Sequence, residues 1–522
     1  MIPAPALALA TAWTLSALVQ DGFTDVGQDL EDRDHPLFAV EGYYRTRGEL
    51  LYDLDLSRGP TPSGQFLGPL PLSNPASHLL DDADMRLRTD FAIYAPGGGL
   101  AVKARFDTFN NLQLGSLPQG APQSSSSYQT PLDAILVRRV YAEVLTPVGL
   151  LATGRMGNQF GLGITANAGD CLDCDYDQSA DRILFTTPIL GLIWAAAFDF
   201  TAAGPLVPRT GGATFVELDP STEVHTLDFA LLRWHDADAI ERRRLAGLTT
   251  FDYGGFYAHR WQQNDVPVDY LPTASPVPIT PAQVMARGFE ADVFDGWARL
   301  IAPELRLEGE ATFLSSIVEQ PSLIPGVLLP RPVTGTQWGG AFESDIGAPR
   351  RRWGAGFDAG IASGDSAPGF GAFPRPGAPP PRPGDLNGPQ ANPPYDYTVN
   401  NFQFSPDYIV DRILFRNIIG TVTDAFYLKP HARVTLARSG KSRLSAELFA
   451  VASWALYASS TPGGANALGL EVDPTLRYES SDGFQAELQY GVLFPFAGLA
   501  NAQLGIPAQP AQIGRLLLDY VF

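Results

Sequence analysis

The sequence predicts an all-β protein: a transmembrane antiparallel up-and-down β-barrel of about 18 strands, or roughly 16 to 20. Three observations predict it. Segments of about ten residues alternate apolar and polar side chains with a period of 2, where a helix would need 3.6. Short turns alternate with long polar loops along the chain. The chain also ends on an aromatic strand, and such a strand is safe from edge pairing when it closes a barrel.

The first strands show the alternation most clearly. From Phe38 to Leu56, apolar side chains share one face and charged side chains share the other. The segments 85–93 and 100–107 repeat the pattern on either side of a tight turn. The charged positions predicted to face the lumen here are Glu41, Glu49, Asp53, Asp55, Arg86, Arg88, Lys103 and Arg105.

The middle and the C-terminal third continue the pattern. Segment 289–299 changes face partway, which predicts a β-bulge. Further charged positions predicted to face the lumen are Arg139, Arg155, Glu304, Glu308, Glu447, Glu471, Asp473 and Glu487.

The connections alternate in length. The predicted tight turns are 95–98, 146–149, 188–190, 301–303, 438–442 and 479–482. The predicted long loops are 57–83, 109–133, 157–180, 203–222, 262–286, 319–335, 363–421, 459–466 and 496–511. Short periplasmic turns and long extracellular loops are typical of outer-membrane barrels. Tandem soluble β-domains are the alternative, but they need no such bias.

The terminal strand has a distinct apolar face. It consists of Gly514, Leu516, Leu518, Tyr520 and Phe522. This terminus resembles the assembly signal of bacterial outer-membrane barrels. The resemblance implies a Gram-negative outer-membrane location and recognition by the barrel-assembly machinery, with membrane lipid and lipopolysaccharide as the surroundings.

Composition sets further limits. The 522 residues include 36 Lys and Arg and 56 Asp and Glu, a net charge of −20, which argues against nucleic-acid binding. Residues 1–20 contain no charge and are predicted to be a signal peptide, with a retained N-terminal helix as the alternative. We assign 21–36 to a periplasmic segment and 37–522 to one barrel domain. Its loop 363–421 either extends outside or folds inward; within it, Tyr408 to Ile418 predicts a short helix or an inserted strand.

The predicted lumen is charged in two blocks. The basic block lies on four consecutive early strands, and the acidic block on the last strands and the first. We expect these walls to face each other across a constriction, where a transverse field would orient polar solutes and set ion preference. Lateral pairing of the same charges as a structural ladder is the alternative.

Two internal segments carry a family resemblance. The hairpin 138–149 with 154–163, and Ile361-Ala362-Ser363-Gly364-Asp365 before a long loop, resemble porin-like outer-membrane families that include alginate-export-type channels. The resemblance implies an outer-membrane barrel. In alginate-type channels an arginine-lined lumen passes an anionic polysaccharide, but the many acidic residues here keep that substrate from being carried over.

One predicted extracellular loop contains Cys171 and Cys174. Two cysteines cannot complete a closed four-ligand zinc site, and an oxidising location favours a local disulfide. Asp173, Asp175 and Asp177 have the spacing that opens a calcium loop, but the glycine and distal glutamate of an EF-hand are absent. We therefore keep calcium only as a weak candidate beside a solvated acidic loop and expect no other cofactor.

The sequence as a whole favours a passive outer-membrane channel for small polar or anionic solutes, with saccharides as one candidate class. It is not predicted to be an enzyme. The rivals are a plugged barrel with a surface or adhesion role and a lipase- or protease-type barrel enzyme. An enzyme of that kind would need a Ser/His/carboxylate set near the outer leaflet. The oligomeric state is not fixed by the sequence.

Overall fold

The structure is a computed structural model, in which part of the chain is described. The described residues are 22–23, 27–31, 37–71, 74–115, 135–201, 223–265, 284–322, 324, 326–347, 351–370, 381–388, 391, 393, 396–440 and 442–522. The signal peptide predicted at 1–20 lies outside them.

Eighteen antiparallel strands form one closed barrel, as the sequence predicts. Each strand pairs with its neighbours in sequence, and β18 pairs with β1 from Tyr43 opposite Val521 to Tyr52 opposite Gln512. The first nine strands are β1 (Phe38–Tyr52), β2 (Leu79–Tyr94), β3 (Leu100–Gln113), β4 (Ile135–Thr146), β5 (Gly149–Gly157), β6 (Ser179–Ile189), β7 (Leu192–Thr201), β8 (Val224–Arg233) and β9 (Thr250–Asp265). The others are β10 (Met285–Ala302), β11 (Leu305–Val318), β12 (Val333–Ile346), β13 (Trp353–Ala362), β14 (Ala425–Ser439), β15 (Ser442–Ala455), β16 (Ala467–Glu479), β17 (Phe484–Pro495) and β18 (Ala511–Val521).

The connections follow the predicted alternation, with one addition. The β8–β9 connection lies at the end of the barrel that carries the short turns, and it contains helix α1 (Ala237–Leu245). The side chain of Asp236 caps α1 by accepting a hydrogen bond from the Ala239 amide. The sequence reading missed this helix because three arginines in its last turn leave no apolar stripe.

The predicted bulge lies just before the segment assigned to it. The β9–β10 register shifts between Ala286 and Phe289, and Gly288 adopts φ +56 there. Left-handed backbone of this kind favours glycine. From Phe289 to Trp297 the alternation then runs unbroken, so the face change predicted inside 289–299 is wrong in its position.

The two faces of the barrel differ in polarity. On β18, Leu516 and Tyr520 are exposed on the outside, whereas Arg515 and Asp519 are buried on the inside. Exposed apolar side chains recur on the outer face around the barrel. An 18-stranded closed barrel with an apolar outer face is built for lipid and belongs in the bacterial outer membrane. Separately, no helix among the described residues is long and apolar enough to cross a membrane.

Two long loops fold into the lumen. Residues 158–178, here called the acidic loop, join β5 to β6; the described residues between 363 and 424, here called the inner loop, join β13 to β14. The inner loop supplies much of the largest buried apolar cluster. Its residues there are Phe370, Leu386, Phe402, Phe404, Val410, Ile413, Leu414, Phe415, Ile418, Ile419 and Val422. Leu414–Ile419 forms a short helix, which overlaps the segment Tyr408 to Ile418 where the sequence predicts a short helix or an inserted strand and ends one residue beyond it.

The described part of the predicted periplasmic segment 21–36 contacts the inner wall. Phe23 packs on Phe256, with ring centroids 5.5 Å apart, and the guanidinium of Arg182 lies over the Phe23 ring. Leu30 packs in a small apolar cluster with Tyr94. At least these residues therefore lie inside the barrel rather than free in the periplasm.

Candidate functional site

A continuous set of arginines covers one part of the inner wall. Its members, here called the arginine arc, are Arg515 on β18, Arg45 and Arg47 on β1, Arg86 and Arg88 on β2, Arg105 on β3 and Arg139 on β4. These five strands are consecutive around the barrel. All seven side chains are buried. Period-2 alternation places them on the inner face because successive side chains of a strand point to opposite sides.

The barrel wall pairs with part of this positive charge. Asp84 lies 3.3 Å from Arg45 and 2.8 Å from Arg47, in each case from nitrogen to carboxylate oxygen. The other wall carboxylates on the arc are Asp107 on Arg88 at 2.7 Å, Asp90 on Arg105 at 2.8 Å and Glu49 on Arg515 at 2.7 Å. Four wall carboxylates thus form ion pairs with arginines of the arc, and further acids of the same strands, Asp519 and Glu143 among them, are also buried in the wall.

Carboxylates of the acidic loop bind the same arginines. Asp173 contacts Arg47 at 3.1 Å and Arg515 at 2.7 Å. Asp175 contacts Arg45, Arg47 and Arg86 at 2.9–3.2 Å. The remaining pairs are Asp177 with Arg88 at 3.2 Å and with Arg139 at 3.4 Å, and Asp170 with Arg139 at 3.0 Å and with Arg105. Backbone carbonyls of the loop add hydrogen bonds, because Arg45 donates to Leu172 and Arg86 donates to Cys174.

These contacts fix the ionisation of the loop aspartates. Burial by itself would raise the pKa of Asp173, but the guanidinium groups of Arg416, Arg515 and Arg47 hold that pKa well below its usual range. For Asp175, burial acts in the same upward direction, and Arg47, Arg45 and Arg86 again lower the pKa. Both carboxylates are therefore charged at neutral pH.

The inner loop clamps the acidic loop from the other side. The Asp407 carboxylate accepts hydrogen bonds from the backbone amides of Asp175, Tyr176 and Asp177 at 2.8–3.2 Å. Arg416 binds Asp173 with a nitrogen-to-oxygen distance of 2.6 Å. The two loops are therefore attached to each other as well as to the barrel wall.

Acidic wall residues hold the loops by a different contact. Glu471 on β16 accepts hydrogen bonds from the amides of Arg412, Ile413 and Leu414 at 2.8–3.0 Å. On β11, Glu310 accepts from the amides of Gly163 and Thr165 at 2.9 and 3.3 Å. Backbone amides with the same local orientation form a cradle for a carboxylate. Contacts therefore cross the lumen from the arginine arc through both loops to the opposite wall.

The strand order corrects the predicted arrangement of the two walls. Of the acidic strands, β18 is the immediate neighbour of β1, and β17 and β16 follow it around the barrel, so they lie next to the strands that carry the arginine arc. The two walls thus lie side by side rather than across the lumen. This arrangement follows from the closure of β18 on β1. The strand that lies across the lumen from β2 is β11, which carries the buried Glu308 and Glu310.

Several residues predicted to line the pore lie elsewhere. Arg155 is on the exposed face of β5, where it pairs with Asp181 on β6 at 2.6 Å. Glu304 is exposed in the β10–β11 turn and pairs with Arg351. β1 ends at Tyr52, so Asp53 and Asp55 belong to the loop between β1 and β2. These positions depart from the prediction because a strand's face and its end depend on register, which alternation alone does not fix.

The other predicted lumen charges lie inward but pair within the wall. Lys103 contacts Glu143 at 3.0 Å and Asp29 at 2.8 Å. The remaining acidic pairs are Glu447 and Glu487 with Arg477, and Glu308 with Arg306. Asp473 is fully buried, and Glu41 lies on β1 with part of its surface exposed. Lateral pairing of this kind matches the structural-ladder alternative.

Sequence reasoning missed five members of the site. Arg45, Arg47 and Arg515 share the polar faces of their strands, so the period-2 pattern already contained the signal. Asp407 and Arg416 lie in the inner loop, and nothing in their local sequence marks them as partners of a loop more than 200 residues away.

The cysteine prediction agrees with the structure, and the calcium candidate has competitors. Cys171 and Cys174 form a disulfide within the acidic loop. Asp173, Asp175 and Asp177 each contact arginine side chains, which occupy the oxygens that a calcium ion would need. Among the described residues, the side chains that bring three potential metal-binding atoms together are instead Asp53, Asp55 and His78. His78 Nδ1 lies 3.0 Å from Asp55 Oδ1, which is an ordinary ion pair if the ring is protonated.

For the rival enzyme reading, the described residues include a partial constellation on the outer face. His259 on β9 contacts Asp292 on β10 at 2.9 Å, and the register places Ser315 of β11 opposite Asp292. The carboxylate therefore stands between the histidine and the hydroxyl. In a nucleophile–base–carboxylate set the histidine must take that central place. This register does not build the nucleophile pair that the enzyme reading requires.

A cavity of about 670 Å³ lies on the same outer face and is separate from the charged lumen. Its rim includes the exposed rings of Trp194, Phe229, Phe294 and Phe313. The apolar rim matches the outer face of a membrane-embedded barrel, which faces the hydrocarbon region.

No protein-family model matches the chain, and no curated protein matches it in sequence. Among solved structures, it is similar to OpdL of Pseudomonas aeruginosa, with 9% identity, a TM-score of 0.45 and coverage of 93% of this chain and 98% of that one. For OccK11 (OpdR) of Pseudomonas aeruginosa the values are 11%, 0.44, 97% and 98%. For OmpT of Vibrio cholerae they are 9%, 0.33, 93% and 97%. At these identities and TM-scores, the likenesses carry no argument about what the chain does.

Proposed function

We propose that the chain is an outer-membrane channel for the passive diffusion of small polar or anionic solutes, with saccharides as one candidate class. The arginine arc is the observation that carries this proposal. Seven buried guanidinium groups are costly to desolvate, and closing a barrel does not require them. Barrels of about 16–18 strands are wide enough to enclose an aqueous channel. Arginine side chains on the inner wall of such a barrel suit the passage or binding of anions.

Other parts of the proposal follow from the same architecture. We expect the terminal face of Gly514, Leu516, Leu518, Tyr520 and Phe522 to be recognised during barrel assembly. The surroundings would be membrane lipid and lipopolysaccharide. The resemblance to alginate-export-type channels stays a prediction and does not name the solute. No catalytic step is part of the proposal.

Reversal potentials test the proposed function. The purified barrel would be placed in a planar bilayer with a salt gradient across it, and Arg86, Arg88 and Arg105 would be replaced together by Gln. We expect anion preference to fall because the arc loses three positive charges. Arg155→Gln is the matched control, since Arg155 lies on the outer face. Unchanged selectivity in the triple variant would contradict the proposal.

A plugged barrel with a surface role is the second candidate, and one observation favours it. Both loops cross the lumen and bury the arginine arc. If the barrel is plugged, variants with weakened loop contacts should still fold as heat-modifiable barrels but should pass no current. Such a result would move the function to the outer surface.

A further inference from the structure

We propose that the acidic loop is a built-in competitor for the channel's solute, and that this solute is a polyvalent anion with several carboxylate or phosphate groups. The inference rests on the proposed channel function and deepens it. Displacement of the acidic loop from the arginine arc by such an anion would open the lumen. The geometry of the loop contacts carries the inference, beginning with how the carboxylates are distributed.

The acidic loop presents its charges as a polyvalent ligand would. Asp170, Asp173, Asp175 and Asp177 lie within eight residues, and together they contact all seven arginines of the arc. Each of these carboxylates bridges at least two guanidinium groups. Arginine binds carboxylate and phosphate oxygens through the same planar fork of donors. A solute with two or more such groups could therefore take over several of these contacts at once.

The arc also has carboxylate partners that belong to the barrel wall. Asp84, Asp90, Asp107 and Glu49 stay with the arc when the loop leaves, because they are strand residues. Withdrawal of the loop thus removes four carboxylates from the arc, and the seven guanidinium groups keep four wall carboxylates as close partners. A guanidinium group that loses a loop carboxylate attracts an anion in its place.

The attachment of the acidic loop is also accessible to competition. The side chains of Asp173 and Asp175 keep 19% and 25% of their surface exposed, whereas the arginines beneath them are buried. Water therefore reaches these two ion pairs from the carboxylate side, and when one loop contact opens, a polyvalent anion can take its arginine before the carboxylate returns. The clamp by Asp407 sets how readily the loop leaves, since it holds three loop amides without touching the arc.

Single-channel recording on the full chain tests the inference. Three probes would be added at matched ionic strength: tricarballylate, tripolyphosphate and the uncharged triamide of tricarballylic acid, with acetate as the monovalent reference. We expect a rise in open probability of about tenfold with one or both polyvalent anions, equivalent to about 1.4 kcal/mol. The response to tricarballylate against tripolyphosphate separates carboxylate from phosphate recognition. An equal response to the triamide or to acetate would overturn the inference.

Loop variants give a second test. Asp173→Asn, Asp175→Asn and Asp177→Asn together should produce a channel that is open without added anion. If that variant fails to fold, Asp407→Asn loosens the loop and leaves every charge on the arc in place. Asp181→Asn is the control, since its exposed pair with Arg155 is remote from the arc. Hydrogen exchange of residues 170–177 should rise in the loop variants and in wild type with polyvalent anion.

The two proposals fail in different ways. If wild type conducts, and neither the loop variants nor the polyvalent anions change its conductance, the competitor inference is wrong while the channel stands. If every folded variant stays silent under all conditions, the channel function is wrong and the inference falls with it.

Discussion

The arginine arc and the acidic wall both hold loops inside the barrel, but they use different chemistry. The arc binds side chains of the acidic loop, whereas Glu471 and Glu310 bind backbone amides of the two loops. Side-chain ion pairs are contacts that a free anion can replace. Carboxylates held in cradles of backbone amides offer no such exchange, because a free anion would meet a wall carboxylate of its own sign. One wall is therefore suited to a reversible contact and the other to an anchor.

The largest effect should come from breaking the anchor. Glu471→Gln keeps the shape of the side chain but places an amide NH₂ against one of three backbone donors. Leaving a buried hydrogen-bond donor without an acceptor costs about 1–3 kcal/mol, so we expect the free energy of unfolding to fall by about that amount. Urea unfolding in detergent, followed by tryptophan fluorescence, measures this fall.

The matched control for that variant is Glu447→Gln. Glu447 lies 3.5 Å from Arg477 and keeps 22% of its side chain exposed. We expect a clearly smaller loss, because partly exposed ion pairs contribute about 0.2–1 kcal/mol. Equal losses in both variants would remove the distinction between an anchor and an ordinary wall pair.

The pH dependence of the inner loop offers a second comparison. Burial raises the pKa of Asp424 to about 7, although Ser460 and the Tyr457 amide donate hydrogen bonds to its carboxylate. The folded state thus binds this proton at a higher pH than the unfolded state does, and stability should fall as pH rises from about 4 to 7, by about 1 kcal/mol per pH unit. Asp424→Asn should flatten that slope. A wild-type slope in the Asn variant would show that another group is responsible.

Added salt should weaken the attachment of the acidic loop to the arc but not the attachment of the inner loop to Glu471, and this effect should be smaller than the preceding ones. The side chains of Asp173 and Asp175 are partly exposed, so added salt screens their pairs with the arc, whereas Glu471 is buried under the inner loop. We expect hydrogen exchange at 173–177 to quicken in high salt and exchange at 412–416 to stay constant. Mass spectrometry on the detergent-solubilised barrel can resolve both segments. Parallel changes in the two would contradict the proposed difference in chemistry.

The smallest effect is expected on the outer face. Arg155→Gln removes a pair whose two side chains are 49% and 46% exposed. Exposed pairs contribute about 0–1 kcal/mol, so the unfolding midpoint should hardly move. A large loss here would mean that the outer face contributes more to barrel stability than its exposure indicates.

Much of the fold could be predicted from local pattern. Period-2 alternation, the loop-length bias and the terminal strand predict about 18 strands, with 16 to 20 left open, and the structure has 18. The positions of Arg86, Arg88, Arg105 and Arg139 on the inner face follow from the same alternation. These features are predictable because a transmembrane strand must satisfy lipid on one side and the lumen on the other.

The face on which a side chain lies and the residue that it contacts were less predictable than the positions of the strands. Arg155 lies outside because its face depends on the register of β5 with its neighbours. The Asp173, Asp175 and Asp177 spacing suggested a calcium loop, yet arginines from distant strands bind these side chains. No local pattern encodes a partner such as Asp407, more than 200 residues away.

The sequence by itself determined that this chain is a closed antiparallel barrel with charged side chains on its inner face. Alternating side chains and regularly spaced tight turns depend only on local backbone geometry, so they can be recognised in the sequence. The tertiary structure decided that the basic and acidic walls are neighbours, because β18 closes on β1. It also decided that the acidic loop covers the arginine arc. That contact depends on long-range electrostatic complementarity inside a closed lumen, which forms only once the strands have been brought into register.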